Sequence, residues 1–310
     1  MELRLATFNL ENLGIRAGED TPKVRSWLGR HQAALRDTVR RLEADAVAFQ
    51  EVLDPSLLEP LLDGLDYPHV VVGERAESPL LTGVFSRYPL LVPQDVARET
   101  DLALQDDKTG LVVGVRGPFS RSVLRVEWDA PGMPTTLLVV HWKSKIPSFT
   151  PSRQREGEPW RSLGDAGEGR LLTEVKRLAQ AVALRREIDR RFARDPGARL
   201  AVLGDFNDIL DSEALRIVRG DAQACLSPGL LPQELLPCEL SVPAEKRYTQ
   251  VYRGRPEMLD HIFISRALLP HFHGARVFNE FLRDAEEGPE AGRSADASSD
   301  HAPFAATFRV

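Results

Sequence analysis

Cysteine is nearly missing: two occur in 310 residues, Cys225 and Cys238. Their isolation excludes a disulfide framework and a cysteine-ligated zinc, and both thiols are expected to be inert in a reducing compartment. Positive charge has no surplus either. Lys and Arg number 40 against 46 Asp and Glu, a net charge of −6, so no global field draws nucleic acid to the surface. A nuclease is not excluded by this, because a bound cation and local arginines can supply the charge where it is needed. No apolar run approaches the ~20 residues of a membrane span. Met1-Glu2-Leu3-Arg4 leads straight into a strand pattern instead of a signal peptide. The expectation is a cytoplasmic, monomeric protein with no membrane contact and no obligate protein partner. The remaining balance, 42% hydrophobic and 28% charged, is that of an ordinary globular chain.

What is present is a set of apolar strand patterns with polar ends. Leu3 to Glu11 alternates, so Leu3, Leu5, Thr7, Asn9 and Glu11 share a face. Ala46 to Val52 aligns Val47, Phe49 and Glu51, and Thr135 to His141 aligns Leu137, Val139 and His141. The run Leu200 to Leu203 stops at Gly204-Asp205-Phe206-Asn207-Asp208. Asp205 and Asn207, two apart, leave one face if the chain stays extended. A carboxylate beside an amide suits a phosphoryl oxygen and a water held side by side, although a turn bonding to its own backbone is the blander account of the same pair. In two further strands the polar groups come first: Asp260 in Met258 to Ser265, and Asp300-His301 before Phe304 to Phe308. If those two run antiparallel to their neighbours, all six clusters reach one edge. Carboxylates buried together need a cation or donors, and a cysteine-free oxygen set suits Mg²⁺ or Mn²⁺.

The connecting stretches say less. Helical periodicity covers 31–43, with Leu35, Val39 and Leu42 on one stripe, and Arg170 to Phe192, with Leu171, Val175, Leu178 and Val182. Short strands are expected near 70–72, 83–86, 111–115 and 122–128. Ser144 to Gly169, rich in Pro, Gly, Ser and Arg, reads as a long surface loop. Its Arg153, Arg155, Arg161 and Arg170, interleaved with Trp160, could hold a polynucleotide backbone. Glu156, Glu158, Asp165 and Glu168 dilute that charge, which leaves plain solvation as the competing account. Lys143 and Lys145 are candidate phosphate contacts on the same grounds. His261 should point away from Asp260 into a core, while His31, His69, His271 and His273 lack partners and are expected on the surface.

Thr7-Phe8-Asn9-Leu10-Glu11-Asn12, Phe49-Gln50-Glu51-Val52, His141-Trp142-Lys143-Ser144, Gly204-Asp205-Phe206-Asn207, Leu259-Asp260-His261 and Ser299-Asp300-His301 occur in that order. In this the chain resembles the endonuclease/exonuclease/phosphatase superfamily, the deoxyribonuclease I-like proteins, over nearly its whole length. The resemblance implies a four-layer α/β/β/α sandwich: two mainly antiparallel sheets face to face, with helices outside. It implies one domain, 1–310, with a loop insertion at about 144–169. It also implies roles. Glu51 would be the principal metal ligand, with Asn9 beside it, Asp300 contributing, and Glu11 at the place of a shorter aspartate in some relatives. Asp205 and Asn207 would position the attacking water and a phosphate oxygen. His301 would contact the scissile phosphate with Asp260 holding its tautomer. His141 would be a second donor or the leaving-group acid, and whether Asp205 or a histidine takes the water's proton stays open. The implied activity is hydrolysis of phosphodiesters with Mg²⁺ or Mn²⁺, most simply on DNA or RNA. The rivals are a phosphomonoesterase or inositol/lipid phosphatase on this fold, and a non-catalytic binding module with a degenerate site.

Overall fold

The computed structural model describes residues 1–148, 158–285 and 298–310. In chain order the elements are β1 (Glu2–Leu13), α1 (Pro22–Leu42), β2 (Ala46–Val52), α2 (Leu58–Leu62), β3 (His69–Val72), β4 (Leu81–Ser86), β5 (Leu90–Val96), β6 (Glu99–Gln105), β7 (Val112–Pro118), β8 (Val123–Trp128), β9 (Thr135–His141), α3 (Leu163–Arg194), β10 (Leu200–Asp205), α4 (Glu213–Arg219), β11 (Leu235–Pro237), β12 (Gln250–Tyr252), β13 (Arg255–Glu257), β14 (Asp260–Ser265), β15 (Phe272–Val277) and β16 (Phe304–Arg309).

Two six-stranded sheets form, in the orders β15-β16-β1-β2-β4-β3 and β11-β14-β10-β9-β8-β5. Their facing sides share one apolar core that includes Leu3, Leu5, Leu137, Val139, Leu203, Ile262 and Phe304. The opposite residues of the same strands cover the outsides. Ala6, Phe8, Val47 and Phe49 pack with Leu35 and Val39 of α1, and Leu138, Val140 and Val202 pack with Leu184 and Ile188 of α3. Alternation thus feeds both faces of each central strand, which is what a helix–sheet–sheet–helix sandwich demands. No helix is long and apolar enough to cross a membrane among the described residues.

The topology brings the polar strand ends together. β1 is parallel to β2 and antiparallel to β16; β10 is parallel to β9 and antiparallel to β14. The finishing ends of β1, β2, β9 and β10 therefore lie with the starting ends of β14 and β16, as the antiparallel expectation required.

Several expectations need correction. Val47 and Phe49 face α1, not the other sheet, so simple alternation would carry Glu51 the wrong way. A break in the β1–β2 register lies between Asn9 and Leu13, and Glu51 takes a left-handed φ of 64°. That bulge re-aims the side chain. The loop at 144–169 is shorter than read: α3 begins at Leu163, where Ser162 caps it by accepting from the Asp165 N–H at 3.1 Å. Glycines at 164, 167 and 169 disguised this first turn. The buried stripe of α3 is Thr173, Arg177, Gln180, Leu184 and Ile188, while Leu171 lies exposed. Thr173 and Arg177 of that stripe donate to the Ile146 and Lys143 carbonyls, which hydrophobic periodicity does not register. His31 is fully buried, its Nε2 2.8 Å from the Leu10 carbonyl and its ring stacked on Trp27. Residues 211–247, unreadable in sequence, hold α4, β11 and several 3₁₀ turns.

Candidate active site

Gly204 sits at φ 142°, and a Cβ there would lie 2.0 Å from the Val140 carbonyl oxygen. Only glycine lets β10 approach β9 this closely just before Asp205. The next residues form an Asx turn, in which Asp205 Oδ1 accepts from the Asn207 N–H at 2.8 Å. The bland and the functional accounts of this pair are the same structure. The turn folds the Asn207 amide back so that Nδ2 donates to Asp205 Oδ2 at 2.9 Å and to the Trp142 carbonyl at 3.2 Å. Across the sheets, Asn9 Nδ2 donates to the same Asp205 Oδ2 at 3.0 Å. Asp205 is almost entirely buried.

Around it lie the other predicted groups. His141 Nε2 is 3.4 Å from Glu51 Oε1 and 3.6 Å from Asp205 Oδ2. Glu51 Oε2 accepts from the Asn12 N–H at 3.2 Å. Asp260 Oδ2 is 2.7 Å from His301 Nδ1. Asp300 donates its backbone N–H to Glu11 Oε2 at 3.1 Å. The structure thus unites Asn9, Glu11, Glu51, His141, Asp205, Asn207, Asp260, Asp300 and His301 at one edge. The proposed phosphate contacts are placed otherwise. Lys143 Nζ turns back to the Ile146 carbonyl at 2.9 Å, Lys145 Nζ pairs with Asp208 at 3.1 Å, and Arg161 pairs with Asp165 at 3.1 Å. Trp160 packs against Gly169, where a Cβ would meet its ring at 2.5 Å. Arg153 and Arg155 lie outside the described residues.

Electrostatics divide the site by role. Burial raises the Asp205 carboxyl to about 7; Asp260 and Glu51 add to the rise while His301 opposes it. Burial, with Asp300 adding repulsion, raises Glu51. For His141, burial and then the nearby Arg121 and His301 charges push the pKa well below 6.5, so its ring is a neutral donor. Burial also works against charge on His301, but Asp260 and Asp300 outweigh it and lift that ring well above 6.5. Two similar imidazoles therefore carry different charges at one pH.

Sequence reading missed four participants. Arg121 lies just outside a strand, between two serines, where nothing marks it. Its Nη1 donates to the Trp142 carbonyl at 2.8 Å and its field acts on Glu51, His141 and Asp205. Gln250 Nε2 is 3.1 Å from Asp300 Oδ2 and 3.0 Å from His301 Nε2. Ser299 Oγ donates to the Asn9 carbonyl at 2.7 Å and accepts from the His301 N–H at 3.0 Å, tying the end of β1 to the segment that enters β16 in the same sheet. Arg177 is fully buried beneath it. It donates to the Lys143 carbonyl at 2.6 Å and pairs with Asp208, which fixes the segments following His141 and Asp205. His261 lies in the core as expected, with Nδ1 2.6 Å from Glu239 and Nε2 2.8 Å from the Asp208 carbonyl.

The donor set fits a hard divalent cation. Five carboxylates (Glu11, Glu51, Asp205, Asp260, Asp300) gather here with Arg121 and His301 as nearby positive groups, and Asp260 Oδ1 is buried with no hydrogen-bond partner among the described residues. Ligand atoms of Glu51, His141 and Asp205 lie within 4.8 Å of one another, as do those of Asp205, Asp260 and His301. Oxygen predominates among these ligand atoms, which suits a hard cation better than a soft one.

Residues 6–301 match the model of the Endonuclease/Exonuclease/phosphatase family, and the chain belongs to that family. Its members are hydrolases acting on phosphoester bonds, typically dependent on a divalent metal. No curated protein matches the sequence. Among solved structures, truncated Caenorhabditis elegans TDP2 is similar at 17% identity and a TM-score of 0.58, over 100% of this chain and 98% of that one. The human Nocturnin catalytic domain, with a bound sulfate anion, is 17% identical at a TM-score of 0.55, covering 99% and 94%. The mannosyl-6-phosphatase Bt3783 of Bacteroides thetaiotaomicron is 16% identical at 0.56, covering 99% and 100%. At these identities the likeness is one of fold.

Proposed function

We propose that this hydrolase cleaves phosphodiesters with a divalent cation, and that its substrate is a nucleic acid strand. The observation that carries the reading is the opposition of two units across one small site: Asp205 with Asn207 on one side, His301 with Asp260 on the other. A diester resists attack because of its own charge, so a catalyst must add positive charge and aim a water in line. Glu51, Asp300, Glu11 and Asn9 are the groups that would hold the cation, which when bound supplies the positive charge at a phosphoryl oxygen. Asp205, titrating near 7, is matched to accept the water's proton at neutral pH. Asn207 orients the oxygen nucleophile from the adjacent turn. His301, kept charged by Asp260 and Asp300, donates to a non-bridging oxygen, while neutral His141 offers Nε2–H without adding charge. As the water oxygen attacks phosphorus and yields its proton to Asp205, the bond to the leaving oxygen breaks, and the alkoxide takes a proton from solvent water.

Preference for a diester rests on charge. A terminal phosphate is close to a dianion at neutral pH, and among the described residues Arg121 and His301 stand at the site against five carboxylates. A diester brings one negative charge and needs fewer. The competing reading, a sugar phosphomonoesterase, has in its favour the similarity to Bt3783. Initial rates on an oligodeoxynucleotide, an RNA, a chromogenic diester and mannose 6-phosphate, each with EDTA, Mg²⁺ or Mn²⁺, separate the two. Metal-dependent cleavage of diesters alone supports the proposal; turnover of the monoester alone rejects it.

A further inference from the structure

The hairpin formed by β12 and β13 starts at the site and leaves it. Gln250, its first residue, touches both Asp300 and His301. Side chains two apart on a strand share a face, so Tyr252 lies on the same side about 7 Å further out. Its register partner across the hairpin is Arg255, which shares that face. Tyr252 is 49% exposed, and the Arg253 guanidinium lies over its ring at 5.3 Å from the centroid. The turn is held in place: Arg253 and Gly254 adopt left-handed φ values of 51° and 69°, and their N–H groups donate to Asp284 at 3.0 and 2.5 Å.

An exposed aromatic ring between two guanidinium-bearing residues, one nucleotide's length from the phosphate site, has the chemistry of a nucleotide subsite. We propose that this hairpin is a base-stacking arm, in which Tyr252 receives the nucleobase of the residue whose phosphate meets His301, with Arg253 and Arg255 flanking its charge. The assignment deepens the nucleic-acid reading above and rests on it. The arm is anchored before substrate arrives, so little ordering entropy opposes the stack, and stacking tolerates any base.

The test measures binding instead of turnover. Adenosine 5′-monophosphate and ribose 5-phosphate carry the same phosphate and differ in the base. Calorimetric titration of each into Mg²⁺-loaded wild type, Tyr252→Ala and Tyr252→Phe reads the arm directly. The expected result is tighter binding of the nucleotide by wild type. The alanine variant loses roughly 5- to 150-fold in nucleotide affinity, the range of base–aromatic stacking. Its ribose 5-phosphate affinity is unchanged, and the phenylalanine variant stays near wild type. Equal affinities for the two ligands in wild type would overturn the assignment. So would an alanine variant that keeps its nucleotide affinity, or one that weakens on both ligands alike, the signature of a sugar-binding ring. The two proposals fail separately. Turnover of mannose 6-phosphate alone, with nucleotide affinity still dependent on Tyr252, would reject the nuclease and keep the arm. Diester cleavage with no dependence on Tyr252 would do the reverse.

Discussion

Asp205 is a costly group to ionise in the fold, and its cost can be titrated. In the fold it ionises near 7, against 3.8 for the unperturbed side chain. Because the folded pKa is raised, the native state holds a proton that the unfolded chain releases. The contribution is complete below about pH 4 and is lost as pH rises to about 7. Three pKa units at 1.36 kcal/mol each amount to about 4 kcal/mol of stability lost across that window. Asp205→Asn removes the titration but carries a constant penalty. Its new Nδ2 would face the Asn9 and Asn207 amide donors that now reach Oδ2 at 3.0 and 2.9 Å, which costs ~1–3 kcal/mol. In EDTA, urea unfolding should find the variant weaker at pH 4.5, and the gap should close or reverse by pH 8. Saturating Mg²⁺ should then restore wild type preferentially, by about 2.7 kcal/mol at a hundredfold excess over Kd. Parallel pH profiles for the two proteins would refute the reasoning, because they would mean that Asp205 ionises normally in the fold.

Other substitutions probe separate parts. Glu51→Gln should abolish calorimetrically detectable Mg²⁺ or Mn²⁺ binding while apo thermal stability holds or rises, since burial and Asp300 already disfavour its charge. Asp260→Asn should lower kcat with little change in KM. Because Asp260 raises the His301 pKa, the alkaline fall of the pH–rate profile should move to lower pH; an unmoved limb would separate the pair. Arg177→Met leaves the buried Asp208 carboxylate with Lys145 as its remaining ion pair and takes a donor from the Lys143 carbonyl, so urea unfolding should report a loss of ~1–3 kcal/mol. Arg161→Ala should leave the salt dependence of oligonucleotide binding flat relative to wild type, because Asp165 already neutralises it. A reduction of the slope by about one unit would return that arginine to the phosphate backbone.

The sandwich and most of its site were legible because each central strand is a simple object. Alternation in Leu137, Val139 and His141, or in Ile262 and Ile264 behind Asp260, points a polar end the same way as its apolar neighbours. Glu51 was found for an incomplete reason: its face is set by a left-handed residue at a bulge, and period-two counting cannot see a bulge. Arg121, Gln250 and Ser299 escaped because they act from loop or edge positions whose contacts are fixed by tertiary packing. The fully buried Arg177 escaped differently. A helix stripe is read from apolar residues, whereas here an arginine occupies the stripe and satisfies its charge with Asp208 and two carbonyls. The start of α3 was hidden by glycines that a serine cap overrides.

The most direct test of the central claim is the Mg²⁺ dependence of strand cleavage. Wild type and His301→Ala, both dialysed against EDTA, would be assayed on a labelled single-stranded oligonucleotide across a Mg²⁺ series at pH 7. Saturable activation of wild type from a null baseline, with the variant slower by orders of magnitude at every concentration, is the predicted result. Cleavage that persists in EDTA, or a variant that matches wild type at saturating Mg²⁺, would contradict the account.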